Sequence, residues 1–209
     1  MPTTEQVLLG LREVANNWRL LAIFWHAYFA AFVMALILGL RPSKRIAGVL
    51  LALPLLSVSL AAWAASNPFN GVVYALIGFL VIYFSTRLPR KKAQLAPLWI
   101  MVPGVIIFLF GWVYPHFLET TSFLPYFYSA PTGLIPCPTL SIVIGLFLIL
   151  NSLGSRPLAL LLGLSGLFYG IIGVGRLRVF IDGVLLLGAV MTLILALRRK
   201  RRNRSEPAQ

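Results

Sequence analysis

Acidic residues are scarce in this chain. The 209 residues include five Asp and Glu against 18 Lys and Arg, so the formal net charge is +13. Charged residues of both signs make up only 11% of the sequence, whereas hydrophobic residues make up 59%. A water-soluble domain needs more polar surface than this composition supplies. The shortage of charge therefore argues against a soluble globule and predicts a protein embedded in a lipid bilayer.

Cysteine and histidine are also rare, with one Cys and two His. A lone cysteine excludes an internal disulfide, a CxxC redox pair and a metal finger. Two histidines and five carboxylates leave little acid–base equipment for an enzyme. No lysine lies inside a predicted span, which excludes a retinal Schiff base, and we find no convincing internal repeat and no cleavable signal segment.

Long apolar runs are what the sequence does contain. A transmembrane helix needs about 20 mostly apolar residues. Seven segments come close to that length, at 18–40, 46–65, 71–87, 95–113, 138–153, 158–175 and 179–197. These runs fill the chain with short breaks between them. The sequence therefore predicts an all-α integral membrane bundle of about seven helices that forms one domain over 1–209.

The basic residues divide between alternate connections. If the C-terminus is cytoplasmic, most of them follow the first, third, fifth and seventh spans on the inner side: Arg41, Lys44, Arg45, Arg87, Arg90, Lys91, Lys92, Arg156, Arg198, Arg199, Lys200, Arg201, Arg202 and Arg204. Only Arg12, Arg19, Arg176 and Arg178 fall on the other side. The positive-inside rule then predicts an external N-terminus and a cytoplasmic C-terminus. We expect the basic tail, 198–209, to contact anionic lipid headgroups and not nucleic acid.

The first 17 residues have the pattern of an amphipathic helix. Thr3 and Gln6 have the spacing of a capping box, and apolar residues recur on one side of the predicted helix. We predict a helix over 1–17 that lies in the outer membrane interface, where it serves as an anchor or as a lid.

Two stripes of small residues follow helical spacing in the predicted spans. They are Ala27, Ala31, Ala35 and Gly39 in the first span, and Gly163, Gly166, Gly170 and Gly173 in the sixth. Small residues let helix backbones approach in lipid. We interpret both stripes as packing seams, with a sliding surface for a moving helix as the alternative.

The long outer connection before the fifth span is rich in proline and aromatic residues. Its rings are expected at headgroup level: Trp112, Tyr114, Phe117, Phe123, Tyr126, Phe127 and Tyr128. The span at 138–153 would be about 24 Å long, shorter than a hydrocarbon core of about 30 Å. Its start is therefore predicted to lie below the outer surface, surrounded by protein or by a watery cavity.

Cys137 lies at this submerged start, between two prolines. We predict Pro138 as the first helical residue, which places Cys137 just outside the positive end of the helix. A thiol there is either a small buried hydrophobe or a nucleophile and soft-metal ligand, depending on water access.

Other candidate site residues are Thr139, His26 and Asp182. An ionisable group inside a span is a functional candidate by default, because its charged form is costly there. A neutral, hydrogen-bonded His26 and an Asp182 paired with Arg178 one turn earlier are the structural alternatives. His116 and Glu119, three residues apart, are candidate metal ligands together with Cys137.

Several segments resemble an uncharacterised bacterial multi-pass membrane family that is known only as a domain of unknown function. The segments are TTEQVLLGLREVANNW, SNPFN, PTGLIPCPTLSIVIGLFLI, RPLALLLGLSGLFYGIIG and RVFIDGVLLLGAV. The Gly-x-x-Pro-Cys-Pro-Thr signature is the most specific part. This chain has Leu140 where the family usually has a second Thr, and Ile181 where it usually has Gln. The resemblance implies a bacterial inner membrane and points to Cys137, Pro138, Thr139 and Asp182, without a known activity.

Three functions remain open from the sequence. The first is transport or permeation of a small solute or ion, including a soft metal, through an outer vestibule at Cys137 and Asp182. The second is a membrane scaffold or accessory subunit that forms a homo-oligomer or docks a partner membrane protein. The third is an enzyme with Cys137 as nucleophile and His116 or His26 as base. The sequence indicates no particular cofactor.

Overall fold

The computed structural model describes residues 3–205, with side chains as far as Arg198. Within this range the chain is all-α and contains no strand, only a single antiparallel bridge between Ser43 and Lys92. The α-helices are α1 Thr4–Asn17, α2 Arg19–Ile37, α3 Lys44–Ala64, α4 Pro68–Thr86, α5 Leu98–Val113, α6 Tyr126–Ser129, α7 Pro136–Ile149, α8 Arg156–Ile171 and α9 Gly183–Ser205. Most of the predicted lipid-binding tail lies beyond the described side chains, so that contact stays a prediction.

Five helical segments are long and apolar enough to cross a membrane. They are Arg19–Ile37, Lys44–Ala64, Pro68–Thr86, Arg156–Arg176 and Phe180–Arg198. Two further apolar helices, α5 and α7, have 16 and 14 residues and are shorter than a usual span. The molecule therefore has the helices of a membrane protein, while the predicted count of seven crossings stays a prediction.

Helix α7 is the centre of the bundle. All of its residues are buried, and it packs against α3, α5, α8 and α9. Its contact with α5 depends on glycine, because a Cβ on Gly145 would lie 2.5 Å from the Phe108 nitrogen. A Cβ on Gly111 would in turn lie 2.5 Å from the Ile142 nitrogen. Small residues of this kind bring helices into close contact where lipid supplies no hydrophobic drive.

The glycine stripe of the sixth predicted span is a packing seam, as predicted. On α8, a Cβ added at Gly163 would lie 2.7 Å from the Leu193 side chain, and one at Gly170 would lie 2.6 Å from the Leu186 side chain. Both leucines belong to α9. The two helices therefore form a close hairpin whose spacing is set by these glycines.

The small-residue stripe of α2 faces the other way. Ala27 and Ala31 are exposed, Ala35 is half-buried, and nothing lies within 4 Å of a Cβ built on Gly39. The prediction of a seam within this chain was wrong here. The buried face of α2 carries Ala22 together with four larger side chains: Trp25, His26, Phe29 and Phe32. Aromatic rings bury more area than alanine, so they determine which face turns inward.

Most described cations gather at one end of the bundle, which we call the basic end. It contains the connections 38–43, 87–97 and 150–155 and the described end of α9. Backbone hydrogen bonds join these connections: Lys44 N donates to Lys91 O, Ala93 N to Pro42 O and Ala96 N to Ile149 O, each at 2.9 Å. The Arg198 guanidinium lies 5.7 Å from the Trp99 ring centre at the same end.

The opposite end, which we call the cavity end, contains α1, α6, the segment 114–135 and the segment 172–182. The predicted capping box of α1 is present, with Thr3 and Gln6 bonded reciprocally. Asn16 at the end of α1 donates to Phe117 O at 3.0 Å and accepts from Glu119 N at 3.0 Å. These bonds hold α1 against the segment 114–135. Its position relative to a membrane surface stays a prediction.

Candidate functional site

Three helices begin or end with irregular backbone at the cavity end. The chain before α7 is non-helical and buried over 130–135, α8 continues into a π-helical turn at Ile172–Arg176, and a 3₁₀ turn at Phe180–Asp182 precedes α9. Irregular backbone at membrane depth is tolerated only where protein or a cavity surrounds it. Ligand sites in membrane proteins are often built from such interrupted helices.

Helix α7 begins earlier and ends earlier than the sequence indicated. Its first residue is Pro136, not Pro138, so Cys137 lies inside the first turn and not beyond the helix end. The first four N–H groups of a helix have no intrahelical partner, so both prolines fit this turn. The helix ends at Ile149 because residues 151–153 have positive φ. The prediction of a submerged start is consistent with the complete burial of 130–135.

Thr139 forms hydrogen bonds with the backbone of the buried segment before α7. Its hydroxyl accepts from Gly133 N at 2.8 Å and donates to Ile135 O at 2.7 Å. The Thr132 hydroxyl joins the segment to α5 by donating to Gly111 O at 2.9 Å. Unpaired backbone groups are expensive in lipid, so these hydroxyls stabilise a segment that lacks its own helical bonds.

Asp182 is the polar centre of this end. Its carboxylate is 1% exposed and accepts a hydrogen bond from the Tyr114 hydroxyl at 2.7 Å. Cys137 lines the same cavity as Asp182, and its sulfur lies 4.0 Å from the Tyr169 carbonyl oxygen. Gly173 lies against the remaining side, since a Cβ there would be 1.9 Å from Oδ2. Two predicted site residues, Cys137 and Asp182, are thus brought together.

The helical ion pair with Arg178, which was the structural alternative for Asp182, is not present in the structure. Arg178 is exposed and has φ 58°, and α9 begins only at Gly183. An i,i+4 pair requires a continuous helix between its members, and this segment is not one. The hydrogen-bond donor to Asp182 is instead the Tyr114 hydroxyl.

Three tyrosines that were not among the predicted site residues surround Cys137 and Asp182. Tyr114, predicted at headgroup level, is fully buried instead. Tyr169 donates to Asn70 Oδ1 at 2.9 Å, and its carbonyl oxygen lies 4.0 Å from the Cys137 sulfur. Tyr74 packs behind Tyr169 with ring centres 5.1 Å apart. These tyrosines and Asn70 place hydroxyl and amide groups inside apolar runs of the sequence, and that pattern could have identified them as site residues.

The Tyr74 hydroxyl has no partner among the described residues. The side chain is 0% exposed, and its oxygen is buried without a hydrogen bond. Tyr74 lies behind Tyr169 and does not itself line the cavity beside this cluster. A buried hydroxyl without a partner costs roughly 1–3 kcal/mol, and such groups are rare in native proteins.

A cavity of about 410 Å³ opens beside the cluster. Cys137, Asp182 and Tyr169 form part of its polar wall, and Arg176 also lines it. Asn67 and Asn70 also line the cavity, and the rest of the wall is apolar, with rings from Phe69, Phe117 and Phe168. Val7 and Leu11 of α1 cover one side. An apolar pocket with a few convergent polar groups is the usual form of a small-molecule site.

His26 is placed away from this cluster. It is 4% exposed, and its ring nitrogens lie 2.9 Å from Ala22 O and 3.0 Å from Trp112 O. The ring packs edge-on against Trp112 with centres 5.0 Å apart. His26 does not line the cavity, so its described contacts join α2 to α5.

His116 and Glu119 lie in the segment that follows α5. His116 packs against Phe117 with ring centres 4.3 Å apart, and partial burial together with the nearby Arg12 charge lowers the pKa of its imidazole. Over the described residues, no three His, Cys, Asp or Glu side chains come together as a metal site requires. The described residues thus give no set of three ligands that would support a metal site at Cys137, His116 and Glu119.

Comparison with known proteins gives no relative from which a function could be transferred. No family model, no curated protein and no solved structure matches the chain.

Proposed function

We propose that this chain is a seven-span protein of the bacterial inner membrane, with its N-terminus outside and its C-terminus in the cytoplasm. The separation of charge supports this orientation, because cations concentrate at the basic end as the positive-inside rule requires. The GLIPCPT motif also supports membership of the uncharacterised multi-pass family that it resembles. Reporter fusions after Gln209 should be active only on the cytoplasmic side, and an external C-terminus would overturn the orientation.

We further propose that the cavity binds a small, mostly apolar solute on the outer side of the membrane. The observation that carries this proposal is that Cys137, Tyr169 and Asp182 line one mostly apolar cavity, where the buried Asp182 carboxylate is held by the Tyr114 hydroxyl. A solute with one hydrogen-bonding group would satisfy such a wall, while its apolar part would contact the phenylalanine rings of the cavity.

Transport or permeation is the activity that fits this site best. The cavity lies where α7, α8 and α9 are interrupted, and a π-helical turn of the kind that recurs at functional sites borders it at Ile172–Arg176. A covalent enzyme fits less well, because neither histidine lines the cavity beside Cys137. A scaffold does not need a cavity with a polar wall.

N-ethylmaleimide can test whether the cavity admits a small molecule. We expect the reagent to alkylate Cys137 in the folded protein, with no reaction in Cys137→Ser. Leu11→Trp should block the reaction by filling the cavity beneath α1. Leu9→Trp is the matched control, because Leu9 lies on the same helix but is 55% exposed. Equal alkylation rates in the two tryptophan variants would contradict a ligand cavity at this place.

Flux measurements distinguish transport from a scaffold role. Proteoliposomes that contain the wild-type protein should swell when they are placed in solutions of small neutral solutes, and those with Leu11→Trp should swell more slowly. A stoichiometric membrane partner that copurifies, with no solute flux, would favour the scaffold.

A further inference from the structure

A groove runs along the outside of the bundle at the basic end, between α2 and α3. It encloses about 540 Å³ and is separate from the cavity at the other end. Ala31, Ala35 and Gly39 form part of one side, and Leu50 of α3 lies on the other. Arg41 and Lys92 line the end of the groove that leaves the bundle.

The groove exists because α2 presents small side chains there. Ala31 is exposed, and Gly39 has φ +79° with open space where a Cβ would lie, so this face of α2 stays shallow. Tyr28 at the inner part of the groove donates its hydroxyl to Leu50 O at 2.9 Å. The polar atom of that tyrosine is therefore satisfied, and the groove floor offers apolar surface.

The two cations are held at the groove mouth by backbone contacts. Pro42, next to Arg41, accepts a hydrogen bond from Ala93 N, next to Lys92, at 2.9 Å. Ser43 and Lys92 also form an antiparallel bridge. The two connections therefore keep a fixed spacing, while the side chains of Arg41 and Lys92 are exposed.

The described part of the chain supplies no anion at this end. The acidic residues with described side chains are Glu5, Glu13, Glu119 and Asp182, and each lies in α1, the segment 114–135 or the segment 172–182 of the cavity end. Arg41 and Lys92 therefore have no carboxylate partner among these residues. Neighbouring cations that border an apolar groove are complementary to an anionic group attached to an apolar chain.

We propose that this groove binds one anionic phospholipid. The phosphate lies between Arg41 and Lys92, and one acyl chain follows Ala31 and Ala35 along α2. Basic pockets between helices on the cytoplasmic side are suited to lipid headgroups, and each cation near the surface adds to the attraction. A second protein helix on the same stripe would cover the alanines but would leave both cations without a counter-charge.

Native mass spectrometry of the detergent-purified, delipidated protein tests this site. Phosphatidylglycerol that is added back should bind with one molecule per chain, while phosphatidylcholine with the same acyl chains should bind far more weakly. Two lost cations should weaken phosphatidylglycerol binding by about 30-fold in Arg41→Gln/Lys92→Gln. Arg87→Gln/Arg90→Gln is the matched control, since it removes the same charge from the same end outside the groove. Its affinity should stay within about twofold of wild type.

A second variant separates the acyl chain from the headgroup. Ala31→Trp fills the groove at an exposed position and leaves both cations in place, so it should also release phosphatidylglycerol while its thermal melting stays close to wild type. Inorganic phosphate, which lacks an acyl chain, should not compete. The proposal is overturned if phosphatidylcholine binds equally well, if both double variants bind alike, if phosphate alone competes, or if Ala31→Trp instead dissociates a dimer that binds no lipid.

Discussion

The two ends of the bundle are held together in different ways. At the basic end, backbone hydrogen bonds such as Ala93 to Pro42 join the connections, and the cations face outward. At the cavity end, buried side chains make the connections, with Tyr114 bonded to Asp182 and Tyr169 to Asn70. The Arg45 guanidinium adds a side-chain bond at the basic end by donating to Leu88 O. Buried side-chain networks cost more stability if one partner is lost, and this is why we place the proposed site at the cavity end.

Glycine substitutions are expected to give the largest difference in stability loss between the two ends. Gly133 at the cavity end and Gly39 near the basic end both have φ +79°. A Cβ at Gly133 would lie 2.2 Å from Trp25, whereas one at Gly39 would meet nothing within 4 Å. We expect Gly133→Ala to lower the free energy of unfolding by about 3 kcal/mol, from left-handed strain plus overpacking. Gly39→Ala should cost about 1 kcal/mol, from strain alone.

Thermal unfolding in detergent micelles compares the two variants. Trp25 has little room to adjust, because it is 6% exposed and its indole N–H donates to Ser57 at 2.8 Å. If Gly133→Ala and Gly39→Ala lower the melting temperature equally, the close packing around the segment before α7 is wrong.

The regular parts of both ends were predictable from the sequence. Apolar runs and local signals, such as the capping box at Thr3, identified the helices because these features depend on neighbouring residues. The glycine seam of α8 was predictable for the same reason. The stripe on α2 was not, since the inward face depended on which aromatic rings could reach α5 and α6.

Removal of a tyrosine hydroxyl is expected to give the next largest difference in stability loss between the two ends. Tyr114 donates to the buried Asp182 carboxylate, whereas Tyr28 donates to a backbone carbonyl in the groove near the basic end. Hydrogen bonds to charged groups are stronger than those between neutral groups, and a lost donor leaves Asp182 underpaired. We expect Tyr114→Phe to cost about 2 kcal/mol and Tyr28→Phe about 1 kcal/mol in chemical or thermal unfolding. A reversed order would show that Asp182 does not depend on Tyr114.

The candidate site was only partly predictable. Cys137 and Asp182 were found because a thiol beside prolines and a carboxylate in an apolar run are unusual on their own. Tyr114 was assigned to the headgroup region because tyrosine is common there. Its burial arises from a tertiary contact across 68 positions of the chain, which no local pattern contains.

Acidification should affect the cavity end only slightly, through His116. Burial and the Arg12 charge lower the pKa of its imidazole below the ordinary value of 6.5. The unfolded chain then binds more protons than the folded chain as pH falls below that value, so stability decreases on acidification. We expect a loss below about 1 kcal/mol, because solvent screens this partly exposed group. The measurement is thermal unfolding of the wild type and of His116→Gln between about pH 7.5 and 5.5.

Two results would sharpen or contradict the assignment to His116. The His116→Gln variant should show a flatter pH dependence, and Arg12→Gln should flatten it only in part, since burial is the larger cause of the lowered pKa. If stability increases on acidification in the wild type and not in His116→Gln, the folded protein binds the proton more tightly than the unfolded chain, and the expected direction of the effect is wrong.

The smallest effect on stability is expected for Tyr74→Phe. This variant compares a hydroxyl without a hydrogen bond with the hydrogen-bonded hydroxyls of Tyr114 and Tyr28. The Tyr74 oxygen is buried without a partner in the described chain, so Tyr74→Phe removes a desolvated polar group and no protein hydrogen bond. We expect its unfolding free energy to stay within about 0.5 kcal/mol of wild type or to rise, since phenylalanine retains the same ring packing. A loss above about 1 kcal/mol would mean that the hydroxyl already has a hydrogen-bond partner in the folded protein.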